Sequence, residues 1–445
     1  MKRAGFLALA VVFAAAISVG LSGCGNSSSG GLPPSSGGGG GGGGGTGGTG
    51  GNVTPIAVEQ GPGGSSFVNT PFVTVRVCVP GSTTNCQNVK DVLLDTGSYG
   101  LRLLSSQVGI SLPETTDSSG NTLAECTQFE GSYVWGSVAT ADVYMGGANN
   151  TGEVATSVPI QLIGSSSIPG APSSCTSSGL PANDTVATLG ANGILGVGLF
   201  VHDCGAACDP SSTSPPNPQP YYLCSSSSCT QTPLAESNQV QNPVALFAND
   251  NNGVVVKMNS VSDSGAITAT GSLIFGIGTE SNNGLGSATV LTVNGFGDIS
   301  TTYNGVTYSD PTSGTSTNAG SFFDTGSNGL FILDATTLGN GISDCPTGST
   351  SVGPSYYCPS NPVSLTATNV SAGTGGATAA APFTIANANT LLGNANNFAF
   401  DNLGGAFGSG TEAFDWGLPF FFGRTIYFAI NGATTPQGSG PYYAY

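Results

Sequence analysis

Two stretches of the chain set a carboxylate in the same frame. Leu93-Leu94-Asp95-Thr96-Gly97-Ser98-Tyr99-Gly100-Leu101-Arg102-Leu103-Leu104 and Phe322-Phe323-Asp324-Thr325-Gly326-Ser327-Asn328-Gly329-Leu330-Phe331-Ile332-Leu333 coincide at Asp, Thr, Gly, Ser, Gly, Leu and the final Leu. In a chain with 71 Gly a lone Asp-Thr-Gly would read as a turn; two copies with matched apolar flanks are an internal repeat. Each Asp should lie at the floor of a buried loop, where ionisation is costly without hydrogen bonds and a partner. If a pseudo-two-fold axis relates the two copies, Asp95 and Asp324 face each other, share one proton and hold a water between them. The ionised carboxylate is then a general base on that water, and its protonated partner polarises a scissile carbonyl. Thr96 and Thr325 can bond across the interface, Gly97 and Gly326 admit close backbone, and Ser98 and Ser327 can hold the outer carboxylate oxygens.

Composition narrows the alternatives. The 445 residues carry 7 Lys/Arg, 24 Asp/Glu and one His, a net charge of -17. So few bases cannot build a phosphate-tracking surface, which argues against nucleic acid or anionic membrane as a partner. A single histidine excludes a multi-histidine zinc site, and any histidine-dependent nucleophile would have to use His202. His202 with Cys204 and Cys208 is a weak metal reading, because export oxidises such thiols. No metal and no cofactor are expected, since a carboxyl pair activates water unaided.

The elements that position the two Asp are strands. Short apolar or alternating runs bounded by Gly, Asn and Pro recur at 72–78, 89–94, 138–145, 272–275, 290–293, 321–323 and 425–430, and Asn304-Gly305 is a hairpin signal. With scarce helical periodicity the fold class is all-β, and the length favours two β lobes, 53–282 and 283–445. Once Cys24 is set aside, ten cysteines remain, consistent with five disulfides in an oxidising compartment. The local pairs Cys78/Cys86 and Cys345/Cys358 are the simplest; the four between 204 and 229 allow three pairings, in a segment that reads as a stapled surface loop.

At this point the chain resembles a pepsin-type bilobal aspartic endopeptidase. The resemblance rests on the two Asp-Thr-Gly-Ser elements and on three further segments. Gly193-Ile194-Leu195-Gly196-Val197-Gly198 resembles the strand that completes that family's psi-shaped loop, through Ile194, Leu195 and Gly196. Gly271-Ser272-Leu273-Ile274-Phe275-Gly276 resembles the strand closing the first lobe. Trp416-Gly417-Leu418-Pro419-Phe420-Phe421 resembles the second psi element, with Pro419 near the family's glycine position and Gly417 able to serve if the register shifts by two. The segment also resembles one in an uncharacterised group of bacterial lipoproteins. The resemblance implies hydrolysis of an extended peptide or protein substrate by Asp95 and Asp324, in a monomer, under a flap for which Tyr133 and Trp135 are the candidates. Packing in a hairpin is the competing role for that pair. The competing function is a pepsin-like binding or envelope structural protein whose paired signatures only clasp the lobes.

The N-terminus indicates export. Lys2 and Arg3 precede an apolar run from Phe6 to about Gly20, a signal peptide too short to be kept as a span. Leu21-Ser22-Gly23-Cys24 resembles a lipobox, which implies cleavage after residue 23 and lipidation of Cys24. Residues 24–52, with nine glycines from Gly37 to Gly45, form a tether reaching about 30 Å. The expected location is the cell envelope, membrane-held only through the Cys24 lipid, at the outer membrane if the cell is Gram-negative.

Overall fold

The computed structural model describes residues 51–445 except 130, 214, 217–218, 309–319, 347–355, 374 and 408–412. The leader, Cys24 and the tether up to residue 50 lie outside the described residues.

Strands dominate, and the described helices are single turns of three to five residues. In the first part of the chain the strands are β1 (Val53–Val58), β2 (Pro71–Cys78), β3 (Cys86–Asp95), β4 (Tyr99–Leu104), β5 (Thr122–Gln128), β6 (Tyr133–Met145), β7 (Glu153–Ile163), β8 (Gly193–Val197), β9 (Tyr221–Cys224), β10 (Cys229–Gln231), β11 (Gly253–Met258) and β12 (Ala269–Phe275). The remainder holds β13 (Val290–Thr292), β14 (Ser300–Tyr303), β15 (Val306–Tyr308), β16 (Phe322–Asp324), β17 (Leu330–Ile332), β18 (Val363–Val370), β19 (Thr378–Ile385), β20 (Gly404–Ala406), β21 (Asp415–Gly417), β22 (Thr425–Ala429), β23 (Thr434–Thr435), β24 (Gly438–Ser439) and β25 (Tyr442–Ala444). The protein is all-β. The seven strand expectations all fall on strands, with β6 starting five residues earlier, at Tyr133, than its apolar run suggested. Asn304 and Gly305, both at positive φ, close the β14–β15 hairpin.

Fifteen strands form one sheet in the order β10-β9-β5-β6-β7-β4-β8-β3-β2-β1-β12-β11-β22-β25-β13. A further pairing of β2 with β6 closes β2, β3, β8, β4, β7 and β6 into a barrel. Inside it every residue of β4 and β8 is buried, which is why these strands read as continuous apolar runs rather than as alternation. The exposed hairpin β18–β19 alternates instead, with Leu365, Ala367, Ala381 and Phe383 facing the core. It lies in a separate four-stranded sheet, β15-β14-β18-β19, and a second such sheet runs β16-β21-β17-β20.

The large sheet crosses the 282/283 boundary through β11 and β22, which pair over five residues, and continues through the C-terminal strand β25 to its edge strand β13. One hydrophobic core spans both sides, including Leu94, Leu195, Phe323 and Trp416. Five disulfides staple the loops: Cys78–Cys86, Cys126–Cys175, Cys204–Cys208, Cys224–Cys229 and Cys345–Cys358. The cluster from 204 to 229 therefore pairs with nearest neighbours. Since Cys204 and Cys208 are joined, they offer no thiolates beside His202, whose Nδ1 lies 3.4 Å from Glu236.

Candidate active site

The two Asp-Thr-Gly turns are built alike, strand by strand. β3 delivers Asp95 and β16 delivers Asp324 as their last residues. In the first copy β8 lies parallel to β3, setting Gly196 opposite Asp95; in the second β21 lies parallel to β16, setting Gly417 opposite Asp324. The strand leaving each turn, β4 or β17, runs antiparallel to that same neighbour and parallel to a fourth, β7 or β20. The order β7-β4-β8-β3 is thus repeated as β20-β17-β21-β16. The glycines are required by close backbone. A Cβ on Gly196 would stand 2.5 Å from the Tyr99 nitrogen, and one on Gly417 2.1 Å from the Gly329 carbonyl oxygen. Pro419 does not occupy the glycine position; it opens the single helical turn Leu418–Phe421, where a missing N–H costs nothing. Ile194, Leu195 and Trp416 are buried in the flanking strands. The Trp416 Nε1 donates to Asn369 at 3.0 Å.

Within each turn the same bonds hold the carboxylate. The Gly97 N–H donates to Asp95 Oδ1 at 2.8 Å, and the Gly326 N–H to Asp324 Oδ1 at 2.7 Å. The Ser98 hydroxyl donates to Asp95 Oδ2, and the Ser327 hydroxyl to Asp324 Oδ2 at 2.8 Å. The threonines cross between the copies. Thr96 N–H donates to Thr325 Oγ1 at 3.1 Å and Thr325 N–H to Thr96 Oγ1 at 2.9 Å. Each hydroxyl then donates to a carbonyl of the opposite copy, Thr96 to Phe323 at 3.3 Å and Thr325 to Leu94 at 2.7 Å. Four bonds related by a pseudo-two-fold therefore lock the turns face to face.

Both Asp are fully buried. A Cβ placed on Gly326 would lie 2.9 Å from Asp95 Oδ1 and 3.1 Å from Asp324 Oδ1, so both oxygens border one point, and the two carboxyl groups are within hydrogen-bonding reach of each other. Burial raises Asp95, while the Ser98 hydroxyl, Asp324, the Gly97 N–H and the Arg102 charge pull it back. Burial raises Asp324 much further, reinforced by the charges of Asp95 and of buried Asp415 on β21. Of the two, Asp324 is thus the more strongly raised, and the pair titrates as a unit.

The flap candidates fare differently. Trp135 is 7 % exposed, donates its Nε1 to the Pro169 carbonyl at 2.9 Å and stacks edge-on against Tyr222 at 5.2 Å. Tyr133 is half-buried against the same small core. Trp135 thus packs within the hairpin β5–β6, one of the two roles open to it. Sequence reasoning leaves Arg102 either paired with a nearby carboxylate or surface-exposed, and the structure pairs it. It is buried and bonds Glu125 at 2.6 Å and Asp203 at 3.0 Å. A lone Arg inside an otherwise apolar strand was the available signal.

No curated protein matches the chain. A family model covers residues 48–445, and the chain belongs to that family, described as a protein of unknown function (DUF3443).

Proposed function

We propose that the chain is an exported, lipid-anchored aspartic endopeptidase of bilobal, pepsin-like build, cutting an extended peptide or protein segment laid across the two Asp-Thr-Gly turns. The observation carrying this reading is the pair of buried carboxyl groups held face to face by crossed threonines, each with a Gly N–H on one oxygen and a Ser hydroxyl on the other. A water between the inner oxygens loses a proton to Asp95 as it attacks the carbonyl carbon. Asp324 gives its proton to the carbonyl oxygen, forming a tetrahedral gem-diol. Collapse passes the Asp95 proton to the leaving amine, breaks the C–N bond and returns one gem-diol hydroxyl proton to Asp324, so the pair again holds one proton. The fixed N–H and O–H donors cost no reorganisation during the step.

The test is cleavage of an unfolded protein substrate from acidic to neutral pH by the purified, oxidised protein, beside Asp95→Asn and Asp324→Asn. Each substitution should lower kcat at least about 10³-fold, as expected for losing a general acid or base, with the fold intact by circular dichroism. An inactive wild type beside folded variants would overturn the reading. Activity surviving in both variants would overturn the dyad.

A further inference from the structure

Behind the Asp95 turn lies a second buried ionic cluster. Arg102 is 1 % exposed and Glu125 fully buried. The guanidinium satisfies four acceptors: Nη2 reaches Glu125 Oε1 at 2.6 Å and Asp203 Oδ2 at 3.0 Å, Nε reaches the Thr127 hydroxyl at 3.1 Å, and Nη1 reaches the Tyr99 carbonyl at 2.7 Å. The Tyr221 hydroxyl donates to Asp203 Oδ1 at 2.7 Å and itself accepts from the Val240 N–H at 2.8 Å. One cation therefore faces two buried carboxyl groups. Ionising both would leave an uncompensated charge away from water, a costly arrangement. In addition, Glu125 Oε2 is buried and receives no N–H or O–H from the described residues. A proton on Asp203 removes the surplus charge, and Asp203 lies within side-chain hydrogen-bonding reach of Glu125. Glu125 keeps its charge, because its other oxygen has the shorter contact with Arg102 and also accepts from Thr127 at 2.7 Å.

We propose that Glu125 and Asp203 hold a single proton beside Arg102, and that this neutral cluster is a pH-dependent latch that positions the Asp95 turn. It ties three elements together: β4 through Arg102 and Tyr99, the hairpin β5–β6 through Glu125 and Thr127, and the segment following β8 through Asp203, Tyr221 and Val240. Arg102 is a positioning residue, acting on the reaction through the Tyr99 carbonyl one residue past Ser98. The positioning role rests on the endopeptidase reading; the shared proton does not.

Two further titratable groups feel the cluster: the Arg102 charge lowers Asp95, and burial with the charges of Asp203 and Glu125 raises Tyr221, which keeps it protonated. Gln161 gives its amide to the Glu125 carbonyl at 2.8 Å, and His202 turns away to Glu236. Burial and the neighbouring Glu125 raise Asp203 well above the usual carboxylate range. Burial also pushes Glu125 up, but Arg102 and the hydrogen bonds around it bring it below its usual value. Because the folded-state value of Asp203 is raised, the latch is fully closed at acidic pH. It weakens as pH rises through that value.

Hydrogen exchange of the full chain, corrected for intrinsic rates, tests this in wild type, Asp203→Asn and Glu125→Gln. Wild-type amides at 99–104 and 122–128 should lose about tenfold protection per pH unit from the ordinary aspartate range up to the raised value of Asp203, and level off above it, while 363–385 holds. Asp203→Asn mimics the neutral acid and should keep its acidic-pH protection throughout. Glu125→Gln leaves Arg102 without its anion and should lose protection at every pH. Protection at 122–128 that ignores pH in wild type, or that falls in Asp203→Asn as it does in wild type, overturns the latch; should Asp203→Asn not fold, the wild-type course decides. Exchange needs no turnover, so absent cleavage counts against the endopeptidase reading alone. Given cleavage, Asp203→Asn should move the alkaline limb of kcat/KM upward, and an unmoved limb overturns the positioning role.

Discussion

The Asp95 and Asp324 half-sites share a strand order, a turn and every bond to their carboxylates, yet their surroundings are of opposite character. Where the first copy has Arg102, the second has Phe331, packed edge-on at 5.9 Å against Tyr356. The carbonyl after each Ser is capped in both. Arg102 caps Tyr99, while Asn69, a neutral amide from the first part of the chain, caps Asn328 at 2.8 Å. Two residues before Gly196 and Gly417, Ile194 in the first copy is matched by Asp415 in the second. A cation stands behind one carboxylate and a second buried acid beside the other. Duplication thus supplies the symmetric geometry, and divergence behind the turns raises Asp324 further than Asp95, the difference that the proposed base and acid roles require.

Substitutions behind the turns should break this comparison most strongly. Arg102→Met leaves two carboxyl groups without their cation and should cost about 3–5 kcal/mol near neutral pH, less at acidic pH where both can protonate, read by urea unfolding. Asn69→Ala, its neutral counterpart, should cost about 2 kcal/mol, with little dependence on pH. Equal costs at every pH would remove the contrast between a charged and a neutral half. The shared part of the design gives the complementary expectation. Thr96→Val and Thr325→Val each orphan one buried N–H and one carbonyl, so each should cost about 1–3 kcal/mol, with the double variant costing less than the sum. Strongly unequal single costs would show that the crossed bonds are not equivalent.

The smallest effect lies outside both halves. Burial, then the charge of Asp250 and a hydrogen bond with it, and the charge of Glu280, push Glu153 up to about 7. The folded state therefore binds the proton more tightly than the unfolded chain. Stability is full below about pH 4.5, the ordinary glutamate range, and declines as pH rises toward 7. Glu153→Gln should flatten that decline by under about 1 kcal/mol after solvent screening; an unchanged slope in thermal melts from pH 4 to pH 8 would contradict it.

The repeat was legible because its signal is local. Seven coincident residues in apolar frames mark both turns, and glycines at 196 and 417 mark the strands that must approach them. What was not legible depends on distant partners. Arg102 meets Glu125 and Asp203, 23 and 101 residues away, so its apolar strand hints at burial but nothing near it in sequence names its partners. Trp135 read equally as a covering residue or a core residue, and the Pro169 carbonyl and Tyr222 decide for the core. Asn69 looks like a turn residue, and its cap on Asn328 spans 259 positions. Likewise β25 is too short to announce itself, and becomes a strand by pairing with β22 and β13.

The central claim is one proton shared unequally between two facing carboxyl groups. Carbon-13 carboxyl shifts of aspartate-labelled protein, assigned by difference with Asp95→Asn and Asp324→Asn, measure it directly. The account predicts that the Asp324 carboxyl stays protonated well above the usual carboxylate range while Asp95 ionises first, and that Asp95→Asn brings Asp324 down by removing the neighbouring charge. Two independent titrations near pH 4, unaffected by either substitution, would contradict it.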